Sequence, residues 1–252
     1  MNKRVNRMKK FGFTIAETLV VLGVIGTIAI LTMPTFIANQ RKQIYAKTLQ
    51  IAITNFNTAM TNLIIKEGVD DLSETTAWTN INNNTLNNSN EDDAKTFVSN
   101  ISNELKLTKY STDEFSSYLP LSENPNEIVD IGDPIRLFTK NGIEYKIQID
   151  RSSVQTISDE DALSANINYT EQAATVYIDI NGEAAPNIMG RDLFQFDLGV
   201  DGILYAFGST NYNGYHGINN NNAPTPETGC INQRDGSYCA EYLIENNYNM
   251  DY

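Results

Sequence analysis

The most constraining feature of the chain is an apolar run near its N-terminus, which holds no ionisable side chain from Thr18 to Gln40. At ~1.5 Å rise per residue this run makes roughly 35 Å of α-helix, enough to cross the ~30 Å hydrocarbon core of a bilayer. One carboxylate, Glu17, stands at its start. A carboxylate close to lipid is costly unless it has a partner, so Glu17 indicates a specific ionic contact. We expect a membrane-anchored chain with one functional charge at the start of its helix.

The segment before this run is basic, and its charges predict the orientation of the chain. Basic residues flanking a membrane helix stay on the cytoplasmic side, so a single pass through the cytoplasmic membrane places the following residues outside the cytoplasm. The alternatives are an uncleaved signal anchor and a secretory signal. A secretory signal has an apolar region of about 7 to 15 residues and a small-x-small cleavage site, and this run is longer and lacks that site. The basic residues are Lys3, Arg4, Arg7, Lys9 and Lys10.

The junction between the basic segment and the helix reads KKFGFTIAE over residues 9–17. It resembles the class III signal of type IV pilins and type II secretion pseudopilins. The resemblance implies that a membrane prepilin peptidase cuts between Gly12 and Phe13 and methylates the new N-terminus. Glu17 falls where the family keeps a glutamate, and Pro34 falls where many members have a helix-kinking proline. The resemblance covers only about residues 9–40, and Ile15-Ala16 stands where Leu-Ile is commoner.

This resemblance implies a structural subunit, a minor pilin or pseudopilin, rather than an enzyme. Its expected partners are the prepilin peptidase, other pilin or pseudopilin subunits and an inner-membrane assembly platform. After cleavage, the free amine of Phe13 is expected to pair with Glu17 of a neighbouring helix, because the two charges lie at the same depth in the membrane. This ion pair sets the axial offset between neighbouring subunits. The sequence does not separate a pilus from a secretion pseudopilus. The alternative from another class is a membrane-tethered extracytoplasmic binding protein that never polymerises.

The charge balance argues against nonspecific nucleic-acid binding. The chain has 18 Lys and Arg against 31 Asp and Glu, and removing the five basic residues of the leader leaves 13 against 31, a net charge of −18. Such a surface repels a phosphate backbone. The length of the chain leaves room for one globular domain with its own hydrophobic core beyond the membrane helix.

The two cysteines, Cys230 and Cys239, lie close together in the sequence. In an oxidising compartment they are expected to form a disulfide. A zinc site is the alternative, but two cysteines without a nearby histidine make a poor ligand set. A disulfide in this place also resembles the C-terminal disulfide loop of many pilins.

Periodicity predicts an α+β fold in which one long N-terminal helix packs on an antiparallel sheet. Apolar residues recur at helical spacing after the membrane run, and Glu67-Gly68 supplies a stop, so one helix from Phe13 to about Lys66 serves as anchor and spine, with local melting expected near Pro34. The predicted domains are a leader (1–12), a transmembrane and spine helix (13–67) and a globular domain (68–252). The apolar positions are Leu49, Ile53, Phe56, Met60, Leu63 and Ile64.

The globular part begins with a polar, Asn-rich stretch over residues 69–90, which predicts a flexible or surface loop. A short helix follows, with Asn90 as its N-cap. Two alternating runs around Asn141-Gly142 predict a β-hairpin. A further strand is expected over 175–180, and a second hairpin surrounds Asp201-Gly202.

No catalytic motif accompanies these elements, so we predict no enzymatic activity and no cofactor. The sole histidine, His216, lies in a Gly/Asn-rich loop, and the aromatic residues Tyr212 and Tyr215 of this loop are candidates for glycan or partner binding. Asp179 and Asn181 are candidate calcium ligands, because Ca²⁺ takes several oxygens on a flexible loop. The alternative is that they cap turns, as Asp and Asn commonly do. The same alternative holds for the nearby Asp192, Asp197 and Asp201.

Overall fold

The computed structural model describes residues 14–81, 85–113, 117–150, 172–209, 228–233 and 235–252. Its longest element is helix α1, Ile15–Glu67, which continues through Pro34 without a break, so the local melting predicted there is absent. The chain forms two compact units, one up to Lys42 and one from Gln43 to Tyr252. The first contains the N-terminal half of α1, and the second contains the sheet and the other helices.

The C-terminal half of α1 belongs to the hydrophobic core of the second unit. Its buried residues recur every three or four positions, which puts them on one side of the helix. Phe56 lies 5.1 Å from Tyr145 between ring centroids, and the Tyr145 hydroxyl donates to the Ala52 carbonyl at 3.0 Å. The helix ends as predicted, because Gly68 has a φ of +68° and its N–H bonds back to Ile64. The buried residues are Ala46, Leu49, Ala52, Phe56, Ala59, Met60 and Leu63.

The segment after α1 is more ordered than its Asn-rich composition predicts. It contains a 3₁₀ turn (Leu72–Glu74), helix α2 (Thr76–Thr79) and strand β1 (Thr85–Leu86). The predicted loop is therefore wrong for these residues. Buried apolar side chains explain the order, since Trp78 packs edge-on against Phe97 at 5.1 Å between centroids.

Helix α3 (Glu91–Leu105) follows where a short helix was predicted. Asn90 precedes it, but the Asn90 side chain makes no capping hydrogen bond. The acidic first turn of Glu91, Asp92 and Asp93 favours the helix start electrostatically. Lys106 ends the helix in a left-handed conformation, and the chain turns directly into a strand that the sequence did not predict.

The sheet is an antiparallel meander in the order β2-β3-β4-β5-β6-β7, with β1 paired to the end of β4. Both predicted hairpins form, one between β3 and β4 and one between β6 and β7, with Gly142 and Gly202 at positive φ in their turns. The α+β architecture predicted from sequence is thus confirmed. The strands are β2 (Leu107–Ser111), β3 (Ile135–Thr139), β4 (Glu144–Asp150), β5 (Gln172–Asp179), β6 (Leu193–Gly199) and β7 (Leu204–Ala206).

The sheet is covered on both faces. One face packs on α1 through residues such as Tyr145 and Ile147. The other carries a smaller apolar cluster in which Tyr118 and Tyr177 pack with Met189 and Leu193. Along β4, the side chains on the face opposite the main core are therefore also buried, and some of them are charged.

The C-terminal segment closes the domain. Cys230, in a π-helical turn (Thr228–Gln233), is bonded to Cys239 at the start of helix α4 (Cys239–Glu245). The predicted disulfide is therefore present. Further on, the Tyr252 hydroxyl donates to the Gly190 carbonyl at 2.7 Å.

Candidate functional site

The N-terminal half of α1 is the first candidate site, because its large apolar side chains are exposed among the residues that the structure describes. Within the described residues it is the one helix long and apolar enough to cross a membrane. Its large apolar residues between Ile15 and Ile37 are exposed, from 45 % for Ile37 to 82 % for Ile15. Such a surface is stable in lipid or against other helices, and unstable in water.

Polar groups in this half of the helix are satisfied within the helix itself. The hydroxyls of Thr27, Thr32 and Thr35 donate to backbone carbonyls three or four residues earlier, at 2.9 to 3.0 Å. Because hydrocarbon offers no hydrogen-bond partners, such internal bonds remove much of the cost of a threonine in a membrane helix. The segment therefore presents an almost entirely apolar outer surface.

Glu17 caps the start of the helix, a role that the sequence reasoning missed. Its Oε2 accepts from the Thr14 N–H and from the Thr14 hydroxyl, both at 2.8 Å, and the Glu17 N–H donates to Thr14 Oγ1 at 3.2 Å. This is a capping box, in which a Thr before the helix and a Glu three residues later satisfy each other's backbone N–H groups. The signal was visible as the spacing Thr-x-x-Glu. Gly12 and Phe13, the predicted processing residues, lie outside the described residues, as do His216, Tyr212 and Tyr215.

The calcium candidates Asp179 and Asn181 lie at the end of β5, where other groups of the domain contact the Asp179 carboxylate and the Asn181 amide nitrogen donates to the Ala184 carbonyl at 2.7 Å. The Asp179 carboxylate accepts from the Asn181 N–H at 3.2 Å and from the Tyr118 hydroxyl, and it lies 3.6 Å from Lys146 Nζ. The first of these bonds is an Asx turn, which agrees with the turn interpretation. The part of the chain that the structure describes holds no group of three or more His, Cys, Asp or Glu residues arranged to bind a metal.

The turn interpretation also fits Asp192 and Asp201, but it is wrong for Asp197, which lies within β6 and accepts from the Gln172 side-chain amide at 2.9 Å. Asp192 accepts from the backbone N–H groups of Asn187 and Ile188 at 2.8 and 2.6 Å, and Asp201 accepts from the Ile203 N–H at 3.0 Å. These carboxylates hold loop backbones in place. Burial raises the pKa of Asp192, and the backbone donors offset part of that increase.

A buried charge network on the outer face of the sheet is the second candidate site. Arg136 on β3 lies opposite Lys146 on β4, and Glu144 on β4 lies opposite Asp179 on β5. Glu144 Oε1 is 2.6 Å from both Arg136 Nε and Lys146 Nζ, and Arg136 also bonds Glu183 at 2.6 Å. Glu144, Lys146 and Asp179 are completely buried.

The network borders a cavity of about 250 Å³, which Tyr118, Arg136 and Lys146 line together with residues 128–134. Charged side chains this deeply buried require partners, since an unpaired buried ion is strongly destabilising. The alternating run predicted strand β4, but nothing in the sequence indicated that both faces of the strand are covered.

None of the protein-family models, curated proteins or solved structures compared with this chain matches it.

Replacing both Cys230 and Cys239 with alanine is expected to lower the free energy of unfolding by about 2.5 kcal/mol, because the disulfide no longer restricts the unfolded chain. The cysteines are nine residues apart and fully buried. Urea unfolding of the oxidised protein and of the variant measures the difference. The oxidised protein should show no free thiol in denaturant, and two reactive thiols there would contradict the assignment.

Proposed function

We propose that this chain is a processed structural subunit, a minor pilin or pseudopilin, of a type IV pilus or type II secretion-like filament. The exposed apolar surface of α1 between Ile15 and Ile37, with Glu17 at its start, carries the proposal. Such a helix can leave the lipid without a large free-energy cost only if neighbouring helices cover its apolar surface. The basic leader and the Gly12-Phe13 junction before it are the features that a prepilin peptidase recognises.

In this proposal the chain itself performs no catalysis. The peptidase cuts after Gly12 while the chain sits in the cytoplasmic membrane with its globular domain outside the cytoplasm. The amine of Phe13 then becomes a cation at the membrane surface, and Glu17 of a neighbouring subunit pairs with it. An inner-membrane platform driven by a cytoplasmic ATPase extracts the helix, so the apolar helices line the filament core and the acidic domains face outward.

A second candidate, a membrane-tethered binding protein that does not polymerise, gains support from the capping box. The Glu17 carboxylate already accepts two hydrogen bonds from Thr14 of its own chain. A purely local capping role requires no neighbouring subunit. The two candidates differ in what happens at Gly12-Phe13, since a tether has no need of cleavage there.

Replacing Gly12 with valine is expected to leave the longer precursor in the membrane. A β-branched side chain occupies the space next to the scissile bond and restricts the backbone that must enter the protease in extended form. Gly12→Ala is the matched control, because its small side chain should permit at least partial cleavage. Immunoblotting of membranes separates precursor from product, and N-terminal sequencing identifies the start of the product.

The wild-type chain should begin at N-methylated Phe13. An intact Met1 in the wild type, or normal cleavage of the Gly12→Val variant, contradicts the peptidase assignment and favours the tether.

A further inference from the structure

Lys146 and Asp179 are held next to each other by the sheet. Glu144 lies directly opposite Asp179 across the β4-β5 ladder, and Lys146 is two residues along β4 on the same face. Lys146 Nζ lies 3.6 Å from Asp179 Oδ2. Because β4 is hydrogen-bonded to strands on both sides, the backbone holds these two side chains close together. Little conformational entropy is therefore lost in bringing them into contact.

Burial shifts both groups toward their uncharged forms. It lowers the pKa of Lys146, although Glu144 and Asp179 oppose that shift. It raises the pKa of Asp179 to about 7, although Lys146 and the Tyr118 hydroxyl oppose that shift. The uncharged forms are an amine, which is a nucleophile, and a carboxylic acid, which is an electrophile.

Two further side chains contact the reacting groups. Glu144 Oε1 lies 2.6 Å from Lys146 Nζ, within reach to accept a proton from it. The Tyr118 hydroxyl donates a hydrogen bond to Asp179 Oδ2, the oxygen on which negative charge develops when a nucleophile attacks Cγ. Tyr118 is itself buried, so this donor is held in place away from solvent.

We propose that Lys146 and Asp179 condense into an intramolecular amide that crosslinks β4 to β5, with Glu144 as the proton carrier. After a proton passes from the ammonium to the carboxylate, the neutral Lys146 nitrogen attacks Asp179 Cγ. The new C–N bond forms, and the bond from Cγ to its hydroxyl oxygen breaks. Glu144 takes a proton from the nitrogen and gives it to the departing hydroxyl, which leaves as water. No oxidant or reductant is required, and Glu144 returns to its starting charge.

The surroundings favour the amide over the separate ions. Two opposite charges buried in the domain lose their hydration, whereas an amide is neutral and keeps both a donor and an acceptor. Arg136 remains as a partner for Glu144 once the Lys146 charge is gone, since its Nε lies 2.6 Å from Glu144 Oε1. The adjoining cavity of about 250 Å³, which Lys146 lines, has room for the released water.

Mass spectrometry of the full chain, purified from membranes in detergent and reduced, tests the proposal. The mass of the wild type is compared with that of Lys146→Arg expressed in the same way, and the known mass difference of the substitution is subtracted. Any N-terminal processing changes both masses equally and therefore does not affect the comparison. The wild type should be lighter by one water. Protease digestion should yield a branched peptide joining the Lys146 side chain to the Asp179 side chain.

Three variants assign the roles. Asp179→Asn should give the same branched peptide with loss of ammonia in place of water, because the leaving group changes and the product does not. Glu144→Gln should retain the full mass in most molecules, since the proton carrier is gone. Lys140→Arg, an exposed lysine in the hairpin before β4, is the control and should lose water like the wild type.

A folded wild-type domain of full mass overturns the proposal and leaves a permanent ion pair in its place. A water loss that maps to Asp201-Gly202, where an aspartyl-glycine sequence can cyclise, also overturns it. If Lys146→Arg does not fold, the branched peptide in the wild type decides. The proposal does not depend on filament assembly, and a chain that never polymerises gives the same result.

Discussion

Replacing Glu17 with glutamine is expected to reduce incorporation of the chain into filaments about a hundredfold, because in the proposed filament it removes one side of a desolvated ion pair and leaves the Phe13 amine of the neighbouring subunit unpaired. Glutamine can still serve in a capping box, so the helix start survives. Cleavage and membrane insertion should be unchanged. The measurement is the fraction of tagged variant in sheared filaments relative to membranes, with a wild-type copy present.

Two matched variants separate the charge from the cap. Thr14→Ala removes the hydroxyl that bonds Glu17 and keeps the carboxylate, so it should assemble far better than Glu17→Gln. Glu17→Ala removes both functions and should assemble as poorly as Glu17→Gln. Normal incorporation of Glu17→Gln beside poor incorporation of Glu17→Ala assigns Glu17 to capping alone. Copies per filament must be counted as well, because a subunit at the tip has no neighbour above it and tolerates the change.

Replacing Glu144 with glutamine is expected to lower the free energy of unfolding of the globular domain by at least about 3 to 5 kcal/mol. The substitution leaves Arg136 and Lys146 facing each other in a buried site without the carboxylate that bridges them at 2.6 Å. Urea denaturation, followed by the fluorescence of the buried Trp78, measures the loss.

Glu183→Gln is the matched control for this prediction. Glu183 bonds the same arginine at 2.6 Å, but its side chain is 60 % exposed, whereas that of Glu144 is fully buried. Exposed ion pairs contribute about 1 kcal/mol or less, so Glu183→Gln should be nearly neutral. Equal effects of the two substitutions would show that burial does not govern this network.

Short sequence patterns predicted the elements that are determined by residues close together in the chain. Alternation of Ile143, Tyr145, Ile147 and Ile149 located β4 and its core-facing side, and the Asn-Gly turn located the hairpin. The long helix followed from an apolar run too long for any other element. Its end at Glu67 followed from a glycine that adopts positive φ.

The features that the sequence did not predict depend on contacts between residues that are far apart in the chain. Residues 72–81 and 85–86 form helical turns and a short strand because Trp78 and Leu86 are buried in the core, whereas their composition indicates only a polar segment. Glu144 and Lys146 alternate with the apolar residues of β4, a pattern typical of a solvent-exposed strand face, yet both are fully buried, and the Tyr118 ring centroid lies 5.4 Å from Lys146 Nζ. Strand β2 was missed because only Lys106 separates it from the end of α3, without a turn signal in the sequence.

The two edges of the sheet bear on how copies of this domain behave when crowded together. Strand β2 shifts register between Leu107 and the exposed Lys109, and β7 is only three residues long. The Leu204 N–H of β7 donates to Asn57 Oδ1 at 2.9 Å, so that edge group is already occupied. Short, irregular and lysine-bearing edges discourage the addition of a foreign strand. Many copies can therefore stand close together with little tendency to join their sheets into amyloid-like aggregates.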